Sequence, residues 1–169
     1  MALRLAVKRP ALAPALILVR PAWLLDAGPQ NMRPMAAAGS LLRTLTPAAA
    51  RAAFEAGTTA QQLANSAPDN LKSLLNAFNR PKPEETAHLL VAISASGPEV
   101  SEPEVRRIAV PTLVIACDRD AIHPRAHAEA LAALIPAARL VTVTAKSDDH
   151  AAYVRDCRAA IGTFLKDLA

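Results

Sequence analysis

Two acids and one histidine stand where side chains could carry out proton transfer. Asp118 and Asp120 follow the apolar run 112–116, and His150 follows the β-branched, alternating run 139–144. If both runs are strands of a parallel sheet, functional residues are expected beyond their carboxyl ends. A carboxylate bonded to one imidazole nitrogen fixes the tautomer, and the other nitrogen can then take a proton from a nucleophile. The spacing is therefore compatible with an acid–base pair of Asp120 and His150.

The same residues also fit a structural role. Asp118 or Asp120 could cap a helix that starts at Pro124, and His150 could cap or decorate the last helix. His123 and His127 lie one helical turn apart and suggest a metal pair, but no Glu or Cys completes a ligand set in the sequence. We therefore expect these two histidines on the solvated surface, and we expect no metal or other cofactor.

No nucleophile for this pair is evident in the sequence. Ser40 lies in a helical stretch, and Ser94 and Ser96 lie at a helix end. Cys117 ends a strand, yet a small buried residue is expected there. None of the four lies between a strand and a helix in a tight turn, where a G-x-S-x-G nucleophile would be found.

Composition indicates a folded protein with an aliphatic core. Hydrophobic residues make up 52% of the 169 residues and aromatic residues only 3%. The net charge of +4 is scattered, with Lys8-Arg9 and Arg106-Arg107 as the largest basic clusters. A nucleic-acid partner is not expected, because no basic stripe with interleaved aromatic residues occurs.

Cysteine usage and hydropathy bear on the compartment. The two cysteines have no metal-ligand or disulfide-type spacing, which is typical of a reducing, cytoplasmic environment. No run is long enough to span a bilayer, so we expect no membrane association. Pro10 and Pro14 interrupt the basic and apolar N-terminus, which disfavours a signal peptide.

The order of elements indicates an α/β protein with few strands. Buried-type runs predict strands at 15–19, 112–116 and 139–144, and Pro21 to about Gly97 predicts only short helices. Three of these helices are predicted to start at Thr46-Pro47, with Thr46 as the N-cap, at Pro68-Asp69-Asn70 and at Pro83. Other helices are predicted over 1–9, 124–135 and 150–168, and a Ser101-x-x-Glu104 capping box predicts that a short helix opens there. The apolar face of the last helix is expected to contain Val154, Cys157, Ile161, Phe164, Leu165 and Leu168.

The segment 108–124, I-A-V-P-T-L-V-I-A-C-D-R-D-A-I-H-P, closely resembles the acid-bearing segment of the α/β-hydrolase superfamily, I-x-V-P-T-L-V-I-x-G-x-x-D-x-x-x-P. Residues 128–136 are similar to the family's A-x-x-L-A-x-x-I-P. The resemblance implies that Asp120 is the catalytic acid and His150 the catalytic histidine, whereas Asp118 falls on a variable position. Cys117 replaces the usual glycine, and Asp148-Asp149-His150 stands where the family often has a small residue, glycine and histidine.

The rest of the chain resembles the C-terminal part of that fold. Residues 3–10 and 16–21 are similar to the helix after the nucleophile elbow and the strand that follows it. The resemblance therefore implies a partial α/β-hydrolase fold with a three-stranded parallel sheet and an all-helical cap insertion. We expect core segments at 1–20 and 106–169 and the cap at 21–105.

The resemblance implies a serine-type hydrolase acting on a small ester or related acyl substrate. Because the G-x-S-x-G elbow would precede residue 1, we expect a truncated or incomplete enzyme, inactive alone. Near the cap entry, Trp23, Met32 and Met35 could line a substrate pocket or form cap core. The alternative is a non-catalytic interaction module, or half of a split hydrolase, that pairs with a second copy or an N-terminal partner through the strand at 15–20.

Overall fold

A computed structural model describes residues 2–168 of the chain. Met1, which the sequence assigns to the first helix, and Ala169 lie outside the described residues. The chain divides into two units. The sheet unit contains residues 2–26, 98–118 and 123–168, and the helical unit contains residues 27–97 and 119–122. The expected core and cap boundaries at 20/21 and 105/106 stay a prediction.

A parallel sheet forms the centre of the sheet unit. Its strands β1 (Leu16–Val19), β2 (Thr112–Cys117) and β3 (Ala138–Val143) lie in the order β1-β2-β3. Every residue of β2 is buried, as expected for an apolar run that forms a central strand covered on both faces. The predicted class, an α/β protein with three parallel strands flanked by helices, is confirmed.

Helices cover both faces of this sheet. Val114 of β2 packs on one face with α1 (Ala2–Lys8) and α8 (Arg125–Leu134). Ile115 packs on the opposite face with α9 (His150–Lys166). Because successive residues of a strand point to opposite sides, the single apolar run of β2 supplies both cores.

The apolar side of α9 differs from the predicted one. The residues of α9 that pack on the sheet include Tyr153, Cys157, Ala160, Ile161 and Phe164. Leu165 is 53% exposed and Leu168 is 41% exposed, so the prediction was wrong for these two. Leu165 lies about 100° around the helix from Phe164, which faces the sheet, and Leu168 lies beyond the last helical residue, Lys166.

The helical unit consists of short helices packed on one another. Its α-helices are α2 (Arg33–Thr44), α3 (Pro47–Ala56), α4 (Thr58–Ser66), α5 (Pro68–Ala77) and α6 (Pro83–Ala95). No strand occurs among its residues in the described chain, as expected, whereas α4 has no proline starter and was not predicted. Gly39 brings α2 and α6 close together, because a Cβ at this position would lie 2.9 Å from the Cβ of Leu90.

Local capping signals begin two helices as predicted. The Thr46 hydroxyl accepts a hydrogen bond from the backbone N–H of Ala49 at the start of α3. Ser101 and Glu104 form the expected capping box at the start of α7 (Glu102–Val105), in the sheet unit. Across residues 2–168, no helix combines the length and apolarity that crossing a bilayer requires.

Candidate active site

Asp118 follows β2 and forms an ion pair on the surface. Its carboxylate lies 3.3 Å from a guanidinium nitrogen of Arg125, which also contacts Glu129 at 2.7 Å. The Arg125 guanidinium donates hydrogen bonds to Glu129 and to Asp118, and these bonds, that to Glu129 first, raise its pKa. The N-cap residue of α8 is Pro124, so neither Asp118 nor Asp120 stands at the cap position of that helix.

Asp120 lies in a four-residue turn, 119–122, that belongs to the helical unit. The turn bends sharply because Arg119 has a left-handed φ of 56°. The side-chain oxygen of Asn70 accepts hydrogen bonds from the backbone N–H groups of Ala121 and Ile122, at 2.7 and 3.1 Å. Asp120 itself is half-buried. The turn that presents Asp120 is therefore held by the N-terminal end of α5.

A second asparagine holds the same turn. The Asn31 side-chain amide donates a hydrogen bond to the carbonyl of Ile122 at 2.6 Å. Sequence reasoning missed Asn31 and treated Asn70 only as part of a helix start. The one signal in the sequence for this contact is that Asn70 is polar at a position of α5 that is buried. Its hydrogen-bond donors, Ala121 and Ile122, lie 51 and 52 residues further along the chain.

His150 is exposed and begins α9, directly after the loop that follows β3. The cap of α9 is Asp149, whose carboxylate accepts a hydrogen bond from the N–H of Ala152 at 3.0 Å. The alternative that His150 caps this helix was therefore wrong. The imidazole lies beside the ring of Tyr153, with ring centroids 6.4 Å apart and planes inclined by 34°.

An arginine at the end of β1 contacts the ring of Tyr153. The guanidinium carbon of Arg20 lies 5.7 Å from the Tyr153 ring centroid, within the range of a cation–π contact. Burial raises the pKa of the Tyr153 hydroxyl, and a hydrogen bond from Arg20 opposes that rise. The phenol therefore stays protonated at neutral pH.

His123 and His127 hold the segment after β1. A guanidinium nitrogen of Arg20 lies 3.3 Å from Nδ1 of His123, and Nδ1 of His127 lies 3.1 Å from the carbonyl oxygen of Ala22. Both histidines are half-buried, so the expectation that they are solvated surface residues was wrong. Within the described residues, no group of three or more His, Cys, Asp or Glu side chains could hold a metal ion.

Comparison with known proteins places the fold. No protein-family model and no curated protein sequence matches the chain. MGS-M2, an α/β-hydrolase enzyme from a Medee basin deep-sea metagenome library, superimposes with a TM-score of 0.66 at 18% identity over 98% of this chain and 60% of that one. The enol-lactonase from Burkholderia xenovorans superimposes with a TM-score of 0.61 at 24% identity, over 98% of this chain and 61% of that one. MenH from S. aureus superimposes with a TM-score of 0.65 at 18% identity, over 99% of this chain and 64% of that one.

The chain carries part of the α/β-hydrolase fold. The resemblance drawn from the acid-bearing segment is thereby confirmed at the level of the fold. The chain spans about 60% of the length of the first solved structures that it matches.

In the α/β-hydrolase fold the nucleophile, the acid and the histidine follow one another along the chain. The hydroxyls of Ser94 and Ser96 donate to carbonyls of their own helix, Val91 and Ile93, at 2.8 and 2.9 Å. Ser40 is exposed within α2, and Cys117 is 2% exposed in the core beneath α9. None of these side chains has the exposed position between a strand and a helix that a nucleophile needs.

The three expected pocket residues lie in different surroundings. Met32 is 1% exposed, and Met35 packs against the core of the helical unit. Trp23 is half-buried, and its indole N–H is buried with no hydrogen-bond acceptor among the described residues. A cavity of about 480 Å³ lies between α2 and α6 of the helical unit, and none of the three lines it. Their role in a substrate pocket stays a prediction.

Proposed function

We propose that this chain supplies the acid and the base of a serine-type hydrolase that cleaves an ester or a related acyl substrate. Asp120 is the acid and His150 the base. The serine lies outside the 169 residues, since no G-x-S-x-G pentapeptide occurs among them. The helical block 21–105 is the cap that shapes the substrate site.

One observation carries the proposal. β2 and β3 are parallel neighbours, in register from Thr112 opposite Ala138 to Cys117 opposite Val143, so the chain leaves both strands at one edge of the sheet. Asp120 follows the end of β2 by three residues, and His150 begins the helix after β3. In open parallel sheets, this carboxyl edge is where functional residues gather.

In the proposed reaction the Asp120 carboxylate accepts a hydrogen bond from Nδ1 of His150. Nε2 of the imidazole then removes the proton of the serine hydroxyl as it attacks the acyl carbon. The resulting imidazolium, stabilised by Asp120, donates that proton to the leaving alcohol. Water, deprotonated by the same imidazole, releases the acid product and regenerates the serine.

The substrate class follows from the fold only in outline. The similar structures include an enol-lactonase and a thermophilic esterase, both of which act on acyl–oxygen bonds by their names. A soluble p-nitrophenyl ester of a short acid is therefore a suitable first substrate.

The test compares the chain alone with a longer chain translated from the nearest upstream in-frame start. We expect p-nitrophenyl acetate hydrolysis by the longer chain, together with covalent labelling of one serine by a fluorophosphonate. The chain alone is expected to show neither. Robust turnover by the chain alone that is lost in His150→Ala would contradict the proposal that the nucleophile lies elsewhere.

A second candidate function, an interaction module, is favoured by the edge of β1. Within the described chain, β1 pairs with β2 alone, and Val19 is 42% exposed. An uncovered strand edge is a template for pairing with another strand. A second copy of the chain, or an N-terminal partner, would add a strand there.

Sedimentation velocity over a range of concentrations tests this module. The interaction role predicts a dimer that Val19→Lys disrupts, because an edge lysine opposes strand pairing. The matched control is Leu89→Lys, another exposed apolar residue, on α6. A stable monomer at all concentrations would exclude self-association through this edge.

A further inference from the structure

We propose that Arg20 is a positioning residue that orients His150 through the ring of Tyr153. The inference rests on the proposed function, in which His150 is the base. It assigns a role to a residue that the acid–histidine pattern does not contain. All three residues lie in the sheet unit.

Arg20 is fixed at the carboxyl end of β1. Its φ of 50° lies in the left-handed region, which is uncommon for a residue with a side chain and is retained only where the surroundings determine it. Its backbone N–H donates to the carbonyl of Ile115 in β2 at 2.8 Å. The side chain therefore leaves the sheet in one direction, at the edge where α9 begins.

His123 and Tyr153 are partners of the guanidinium at this edge. This group carries only donors, so at 3.3 Å it donates to Nδ1 of His123, whose ring proton then resides on Nε2. The same group lies over the Tyr153 ring, 5.7 Å from its centroid. Because the planar guanidinium makes both contacts, its rotation is restricted. The Tyr153 ring therefore packs against a cation, the Arg20 guanidinium, whose position is fixed.

The fixed ring of Tyr153 in turn restricts the imidazole of His150. The two residues are three positions apart on the first turn of α9, where side chains at this spacing are neighbours. Their ring centroids are 6.4 Å apart. His150 is exposed and would otherwise sample several rotamers, so a fixed aromatic ring on one side selects among them. Arg20 does not need to touch His150 for this effect.

The experiment reads the orientation of the imidazole directly. We would record the ring ¹H and ¹³C resonances of His150 by NMR in the wild type and in four variants: Arg20→Gln, Tyr153→Leu, Tyr153→Phe and Arg139→Gln. The resonances of His150 are assigned as those that disappear from the spectrum of His150→Ala. Arg139 is the matched control, because its guanidinium carbon lies 5.9 Å from the Phe164 ring centroid on the same helix.

Tyr153→Leu is expected to abolish the ring-current shift of the His150 protons, and Arg20→Gln to reduce it. Tyr153→Phe, which keeps the ring, and Arg139→Gln are expected to leave it near the wild-type value. An unchanged His150 shift in folded Arg20→Gln, or an equal change in Arg139→Gln, would overturn the proposal. If circular dichroism shows that Arg20→Gln is unfolded, Arg20→Lys takes its place, because it keeps the charge but loses the planar guanidinium. An unchanged His150 shift in folded Arg20→Lys would then overturn the proposal.

This readout does not depend on hydrolysis. If His150→Ala leaves the activity of the longer chain intact, the proposed function fails, whereas the NMR result still shows whether Arg20 orients the imidazole. If activity depends on His150 but Arg20→Gln leaves the imidazole signals unchanged, only the positioning role fails.

Discussion

At the scale of single residues, one buried amide holds the turn that carries Asp120. Asn70 is 4% exposed and accepts two hydrogen bonds from consecutive backbone N–H groups. A carboxylate can orient an imidazole only if its own backbone is fixed. Asn70 and Asn31 therefore belong to the functional account although neither is an acid, a base or a nucleophile.

Replacing Asn70 by alanine is expected to lower the free energy of unfolding by about 2–4 kcal/mol. The substitution leaves the buried N–H of Ile122 without an acceptor, at about 1–3 kcal/mol, and the half-buried N–H of Ala121 likewise, at about 1 kcal/mol. Urea denaturation monitored by circular dichroism measures the change. Asn65→Ala, at an exposed position of α4, is the control and should alter stability by less than about 0.5 kcal/mol. Equal effects of the two variants would contradict the account of the turn.

At the scale of elements, the start of α9 depends on Asp149. Its carboxylate accepts the N–H of Ala152, one of the donors that a helix start leaves unsatisfied. Asp149→Ala is expected to cost about 1 kcal/mol of unfolding free energy, and Asp149→Asn almost nothing, since asparagine caps equally well. Thermal denaturation of both variants checks this. A similar loss in Asp149→Asn would show that the charge, not the cap, is what matters.

The capping box of α7 predicts a dependence of stability on pH. The hydrogen bonds from Lys8 and then from Ser101 lower the pKa of Glu104 from 4.5 to about 2. Because the pKa is lower in the folded state, the stabilisation is complete above pH about 4.5 and is lost as the pH falls towards 2. Glu104 is at the surface, so the effect is small and is weakened by salt.

Glu104→Gln is therefore expected to melt below the wild type at pH 7, and the gap should close as the pH falls from 4.5 to 2. Melting temperatures at low ionic strength provide the measurement. The control is Glu55→Gln, which removes an exposed pair with Arg51 in α3. A gap that stays constant down to pH 2 would contradict the lowered pKa.

The sequence predicted the elements better than the contacts between them. Some signals act through near neighbours or through burial alone, so the sequence pattern is enough to predict their structure. They are Thr46-Pro47, the Ser101–Glu104 box and the apolar run of β2. The contact of Arg20 with His123 joins residues 103 positions apart, and that of Asn70 with Ala121 joins residues 51 apart. No local pattern encodes such pairs, because the fold brings them together.

The C-terminal end of the chain shows the same limit. Leu165 and Leu168 were counted in the apolar face because hydrophobicity alone cannot show how far the sheet extends under a helix. Tyr153, in contrast, was not expected to pack against the core, and its ring lies close to the Arg20 guanidinium and to the His150 imidazole.

At the scale of the whole molecule, the described sheet has three strands, in the order β1-β2-β3. The chain matches MGS-M2 over nearly all of its own length but over 60% of that protein. The proposed hydrolase accordingly needs a nucleophile-bearing segment beside β1, and strand pairing at this edge is the means by which it would join the sheet.

Asp120 and His150 are proposed to act as the acid and the base of the reaction. The decisive measurement is the initial rate of p-nitrophenyl acetate hydrolysis by the longer chain carrying the serine, with Asp118→Asn as the matched control. We expect kcat to fall about 10⁴-fold in Asp120→Asn and about 10⁶-fold in His150→Ala, and to stay near wild type in Asp118→Asn. Rates that are retained in Asp120→Asn, or lost equally in Asp118→Asn, would contradict the assignment.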